Sequence, residues 1–403
     1  MNAFQHAATL ARRWREEIRL PQAARRERTR DRQGLPQNDP GAATAIAAGL
    51  EWLCQAQDRS ATKDGGAARH YSLLTGWASS YPETSGYIVP TLLREARLSG
   101  DPKLEARARR MLDWLVSIQF PEGGFQGGVV DALPRVPVTF NTGQILLGLA
   151  AGAAELDRAR YLEPMRKAAQ WLVDSQDGDG CWRRHPTPFA KPGEKAYETH
   201  VAWGLFEADR VLPGLGFGET GLRQVRWAIA CQHPNGWFEK CCLSDAERPL
   251  THTLGYVLRG IIEAYRLMPA DDLLMAAIRT ADGLLGVLEP DGRLPGRLDK
   301  EWRAAAPWVC LTGSVQIAHC WFLLSDITGN AQYREGARLA NRYVRRTLVI
   351  DGQPEVRGGV KGSFPVDGGY GRFEYLNWAC KFMIDANRME LDHLAKGATD
   401  RVV

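Results

Sequence analysis

The chain repeats itself six times. In each unit a Trp- or Leu-rich run of helical periodicity ends in Gln or Gly, a loop follows, and a second helical run opens on Thr, Asn, His or Glu. The second runs begin near Glu83, Asn141, Thr199, Thr251, Thr312 and Asn377, at spacings of 58, 58, 52, 61 and 65 residues. Two helices and one long loop per period mark a stack of αα-hairpins, since no hairpin buries its apolar face alone. Six hairpins are enough to close a ring. The expected fold is therefore an all-α (α/α)6 toroid over residues 41–395, with a basic arm at 1–40 and a short tail at 396–403.

Apolar spacing places the outer helices near 42–57, 101–119, 161–176, 220–232, 272–288 and 331–349. The inner ones fall near 83–98, 141–154, 197–210, 251–268, 309–326 and 373–390. The inner runs are apolar nearly all round, as for helices covered on both sides. The loops within each pair are long and rich in Gly, Pro and aromatics, as in Pro121–Phe125, Gln176–Trp182 and Gln232–Phe238, which marks them as walls of a functional mouth.

The net charge of +4 is mild, and much of it sits in nine arginines between Arg12 and Arg32. No basic stripe with interleaved aromatics recurs, so no nucleic-acid partner is expected, and the arm reads as a helix packed through Trp14, Ile18 and Leu20. None of the eight cysteines forms a CxxC pair, and residues 1–30 lack the apolar stretch of a signal peptide. No apolar run is long enough to cross a membrane. These features point to a cytoplasmic protein with reduced cysteines.

Lys167–Trp182 reads K-A-A-Q-W-L-V-D-S-Q-D-G-D-G-C-W. It resembles the QW repeat of squalene–hopene cyclases and related prenyltransferases, with weaker copies at Arg110–Phe125 and Arg223–Phe238. The resemblance implies the toroid. The cyclase acid motif D-x-D-D is absent, and Cys242, Asp245 and His252 lack the order of a prenyltransferase zinc set, so neither metal nor cofactor is expected. The same toroid serves polysaccharide lyases, glucuronyl C5-epimerases and unsaturated-uronyl hydrolases. Glu83–Ile88, Phe140–Gln144, Thr251–Tyr256, Cys310–Gly313 and Asn377–Ala379 also resemble segments of a bacterial family associated with surface-polysaccharide synthesis.

Near the starts of the inner helices, side chains three or four apart share a face. The pairs are Glu83 with Tyr87, Asn141 with Gln144, His200 with Trp203, Thr312 with Gln316, and Asn377 with Lys381; His252, Tyr256 and Arg259 form a longer stripe. Such a set in apolar helices implies a shared wet cavity, because each unpartnered buried polar group costs about 1–3 kcal/mol. Parallel helix starts, Arg259 and Lys381 would favour an anion there. The reading is an enzyme acting on an anionic, uronate-containing oligo- or polysaccharide by removal of the C5 proton, as a lyase or epimerase. His252, Tyr256 and His200 are the acid–base candidates, and Arg259 and Lys381 hold the carboxylate. Tyr87, Asn141, Gln144, Trp203, Asp299, Trp302, Thr312, Gln316, Tyr370, Asn377 and Trp378 are binding candidates. A glycoside hydrolase would pair Glu83 with a second carboxylate, Glu198, Asp299 or Glu374. A terpenoid cyclase or prenyl-binding protein, or a non-catalytic glycan-binding protein, are the remaining alternatives.

Overall fold

The computed structural model describes residues 20–188 and 190–399. Helix α1 (Gln22–Arg32) precedes twelve helices that alternate between an outer and an inner ring. The outer helices are α2 (Ala42–Asp58), α4 (Pro102–Ile118), α6 (Arg158–Ser175), α8 (Phe217–Ile229), α10 (Asp271–Leu285) and α12 (Ala331–Arg346). The inner helices are α3 (Pro82–Ser99), α5 (Thr139–Glu155), α7 (Thr199–Val211), α9 (Thr251–Leu267), α11 (Leu311–Thr328) and α13 (Asn377–Thr399). Each inner helix packs on the next, and α13 returns to α3, so the ring is closed. All six long loops enter the amino ends of the inner helices. The connections at the other face are only a few residues long.

The glutamines of the QW-like segments join neighbouring outer helices. Gln176 Nε2 donates to the carbonyls of Gly180 at 3.0 Å and Thr220 at 2.9 Å, while its Oε1 accepts from Arg223. Gln57 does the same with Gly65 and Arg107, and Gln232 links Ala276 and Arg279. The loop glycine that follows presses on the next outer helix. Gly236 has φ +88°, and a methyl group there would overlap the Arg279 carbonyl. Gly358 stands in the same relation to Ala48, so the sixth hairpin meets the first by the contact used throughout the ring. Trp302, expected in the mouth, is such a wedge: its Nε1 donates to the Asn235 carbonyl between two hairpins.

Short strands seal the closure. β1 (His70–Ser72) pairs with β2 (Gly76–Trp77) and with β5 (Glu374–Leu376), joining the first long loop to the last, and β3 (Val309–Cys310) pairs with β4 (Ser363–Phe364). Asn377 completes the join, donating to the Ala68 carbonyl and to Thr84 Oγ1.

Trp14 and Ile18 lie outside the described residues; Leu20 packs partly buried on the core. The described part of the arm docks through its acids. Lys361, 1% exposed, donates to Glu27 at 2.9 Å and Asp31 at 2.6 Å, and Asp31 also accepts from the Val366 N–H. The eight cysteines are all free, and no helix among the described residues is long and apolar enough to cross a membrane.

Replacing Gln176 by Leu keeps the side-chain bulk but strands two carbonyls and a guanidinium. The Q176L protein should lose about 2–3 kcal/mol in urea unfolding. Gly236→Ala, placed at positive φ, should cost more than about 1 kcal/mol. Unchanged midpoints in both would show that these contacts are incidental to stability.

Candidate active site

The amino ends of the inner helices surround a cavity of about 170 Å³. Glu83 of α3, Asn141 of α5, His252 and Tyr256 of α9, and Trp378 of α13 line it from the helices. Arg69, Tyr81, Tyr197 and Tyr370 line it from the loops. The volume is on the scale of one sugar ring, and aromatic faces with a few convergent polar groups are the usual make-up of such a site.

Glu83 is the sole carboxylate lining this cavity among the described residues. It is 8% exposed, and the Tyr81 hydroxyl donates to its Oε2 at 2.7 Å. Burial raises its pKa to about 7, against the opposing pull of the Tyr81 bond and the Arg69 charge. At neutral pH it is therefore poised to gain or lose a proton. The Arg69 guanidinium, 3.4 Å from Glu374, lies over the rings of Trp378 at 5.1 Å and Tyr81 at 5.9 Å and is the one cation of the cavity wall among the described residues.

His252 is buried and shifted the other way. Its Nδ1 lies 2.6 Å from Gln316 Oε1. With a carbonyl oxygen as acceptor, Nδ1 carries the proton and Nε2 keeps its lone pair. Burial lowers the pKa to about 4, so the ring is neutral near pH 7. Asn141 adds a buried amide Nδ2 with no protein partner, a donor left for a ligand hydroxyl.

Several expected site residues stand elsewhere. His200 lines neither mouth; it sits beneath Tyr256 with ring centroids 4.4 Å apart, and its Nδ1 meets Gln144 Oε1 at 2.6 Å. Gln144 and Gln316 thus orient histidines rather than face the cavity. Tyr256 lines the cavity, but burial pushes its phenol well above the usual value, so it stays protonated and is not a base. Thr312 is buried outside the cavity, and Asn377 is committed to ring closure. Asp299 is held in an exposed loop by Arg303. Glu198 and Glu374, considered as partners for Glu83, do not line the cavity either.

The larger correction concerns Tyr87, Trp203, Arg259 and Lys381, which line a different cavity at the opposite mouth of the ring. A helix rises about 1.5 Å per residue, so four to seven residues carry a side chain about 6–10 Å deeper. Sharing a helix face with His252 therefore does not bring Arg259 to the same cavity. Arg69 supplies the cation in its place. It sits in the loop before β1, where no periodic pattern exposes it, and only its neighbour His70 hints at chemistry.

No family model and no curated protein matches the chain. Among solved structures it is similar to an unsaturated glucuronyl hydrolase specific for heparin, at TM-score 0.68 and 14% identity, covering 88% of this chain and 98% of that one. The unsaturated glucuronyl hydrolase of Bacillus sp. GL1 gives TM-score 0.69 at 13% identity, with 86% and 96% covered. The cellobiose 2-epimerase of Bacillus thermoamylovorans gives 0.65 at 10%, with 85% and 98% covered. The chain shares the α/α toroid fold with these proteins.

Glu83 also leaves a signature in stability. Its folded pKa lies above the ordinary glutamate value of 4.5, so the fold prefers the protonated form. The protein should lose stability as pH rises from about 4.5 to about 7, by up to roughly 3 kcal/mol from this group. Glu83→Gln should match the parent near pH 4.5 and exceed it at pH 8. Parallel unfolding curves across that range would show the carboxyl to be solvated.

Proposed function

We propose that the chain is a carbohydrate-active enzyme that moves a proton at a uronate-bearing sugar bound in the cavity at the amino ends of the inner helices. One observation carries this reading: Glu83 and the neutral His252 line a single small cavity that also holds Arg69. Buried groups displaced in opposite directions, with a fixed cation beside them, suit acid–base chemistry next to a carboxylate.

In the favoured reaction, Arg69 faces the uronate carboxylate and stabilises the charge that develops there as the C5–H bond breaks. His252 Nε2 accepts the C5 proton. The electron pair then either takes a proton from the Glu83 carboxyl on the other face, inverting C5, or expels the 4-O substituent, with Glu83 protonating the leaving oxygen. Asn141 donates to a hydroxyl, and Trp378 and Tyr370 offer ring faces. The cavity holds about one sugar ring, which favours a free sugar or a terminal residue over an internal one.

A second reading draws on the same carboxyl group. Glycosidic hydrolysis of the usual kind uses two carboxylates, and here one lines the cavity. Hydration of an unsaturated uronyl end needs one acid alone. Glu83 would protonate C4 of the enol ether, water would add at C5, and the resulting hemiketal would open and release the aglycone. The fold likeness to unsaturated glucuronyl hydrolases supports keeping this reading.

Incubation with uronate-terminated oligosaccharides in heavy water separates the two. Deuterium at C5 with intact chains indicates epimerisation, and a new ultraviolet band of a conjugated uronate indicates elimination. Loss of that band from an unsaturated substrate indicates hydration. Arg69→Leu should lower kcat/KM for the uronate at least about 100-fold and much less for the neutral sugar. His252→Ala should abolish C5 exchange yet spare hydration more than Glu83→Gln does. If none of these signals arises from any uronate substrate, the proposal fails.

A further inference from the structure

The opposite mouth of the ring holds a second cavity of about 480 Å³ that shares no lining residue with the first. Its inner wall carries Trp203, Arg259, His319 and Lys381, with Arg266 above them. Arg94 and Lys396 on its outer wall are answered by Asp392 and Asp326, whereas two of the inner cations share one carboxylate. Glu263 is fully buried and, among the described residues, alone accepts from both Arg259 at 2.8 Å and Arg266 at 2.9 Å, while Arg210 nearby pairs with Glu207. Lys381, 3% exposed, meets Asp385 at 2.7 Å, and Asp385 is shared with the Thr91 hydroxyl.

Helix ends account for only part of this charge: Arg266 stands in the last turn of α9, Arg259 and Lys381 do not. The carboxyl ends of the inner helices gather at this mouth, and their partial negative charge explains arginines in last turns such as Arg97 and Arg210. Arg259 lies about two turns before the end of α9, and Lys381 stands in the second turn of α13. Both are deep. The Arg259 guanidinium is clamped 3.9 Å above the Trp203 ring, which holds its N–H edge towards His319. Burial and the charges of Arg259, Lys381, Arg94 and Arg266 keep His319 neutral.

We propose that this cavity is a second ligand site, for a small molecule bearing a phosphate or carboxylate oxyanion, held by Arg259, Arg266 and Lys381. A planar, preorganised guanidinium and a buried ammonium around one cavity are the donors that such an oxyanion pairs with. The site stands apart from the acid–base cavity and does not rest on the activity proposed for it. Its greater volume admits a larger molecule than one sugar ring.

The test is calorimetric titration and thermal unfolding of the full chain with sodium phosphate and, separately, sodium glucuronate, each against sodium chloride at matched ionic strength. Saturable binding of at least one probe is expected. Arg259→Gln and Arg266→Gln should each weaken it at least about tenfold. Glu83→Gln should leave the arginine-dependent binding unchanged. Arg266 has a side chain 49% exposed, so R266Q keeps the test open should R259Q not fold. Phosphate alone or glucuronate alone binding with this arginine dependence names the oxyanion. Three results overturn the proposal: no stabilisation beyond chloride, binding indifferent to both arginine variants, or phosphate binding lost in E83Q, which would place the probe in the first cavity.

Discussion

One glycine in each of the six hairpins, joined in the first four by a glutamine amide (Gln57, Gln119, Gln176 and Gln232), sets the spacing on which this ring depends. The glutamine at the end of an outer helix bonds its own loop and the backbone of the next outer helix. The glycine that follows lets that loop lie against the same backbone without a side chain between them. The glycine contact is repeated around the ring, and the sixth hairpin meets the first through it at Gly358 and Ala48. The inner helices inherit the order. They run parallel, so the long loops gather at one mouth and short turns at the other.

That polarity divides the interior into two chemically different ends. At the loop end, helix starts and aromatic loops enclose a small cavity in which burial is the largest influence on Glu83, His252 and the tyrosines. Burial raises Glu83 and lowers His252, and so produces a protonatable acid and a neutral base without a metal-like charge to tune either. At the turn end, paired cations gather around Glu263 and Asp385 in a wider opening. Between them lies a floor of buried rings, with His200 against Tyr256 and Phe382.

The fold was legible because its signals are local and recur. Helical periodicity, the Gln–Gly loops and the count of six all lie in short windows, and the expected helices agree with the observed ones to within a few residues at most ends. Glu83, Asn141, His252, Tyr370 and Trp378 were legible as cavity residues for a related reason: they open helices or flank them at the mouth where the loops converge. Arg69 was not, because it sits in an irregular segment whose direction no period reveals, and Tyr197 was not because the expected helix start there is a separate 3-10 turn, Ala196–Glu198. Asn377 and Gln144 looked the same in sequence as Asn141, yet their amides are used on protein partners.

By itself, then, the sequence determined the number of hairpins, their pairing into an inner and an outer layer, and the mouth at which the loops meet. These follow from periodicity and from turn chemistry, both of which act over a few residues. Only the tertiary structure decided which polar side chains share a cavity. Depth along a helix axis separates Arg259 from His252, and closure of the ring brings Arg69 beside Trp378, more than 300 residues away in the chain. It likewise decided the charge states, since the water removed from around Glu83 and His252 is excluded by the whole ring and not by their neighbours in sequence.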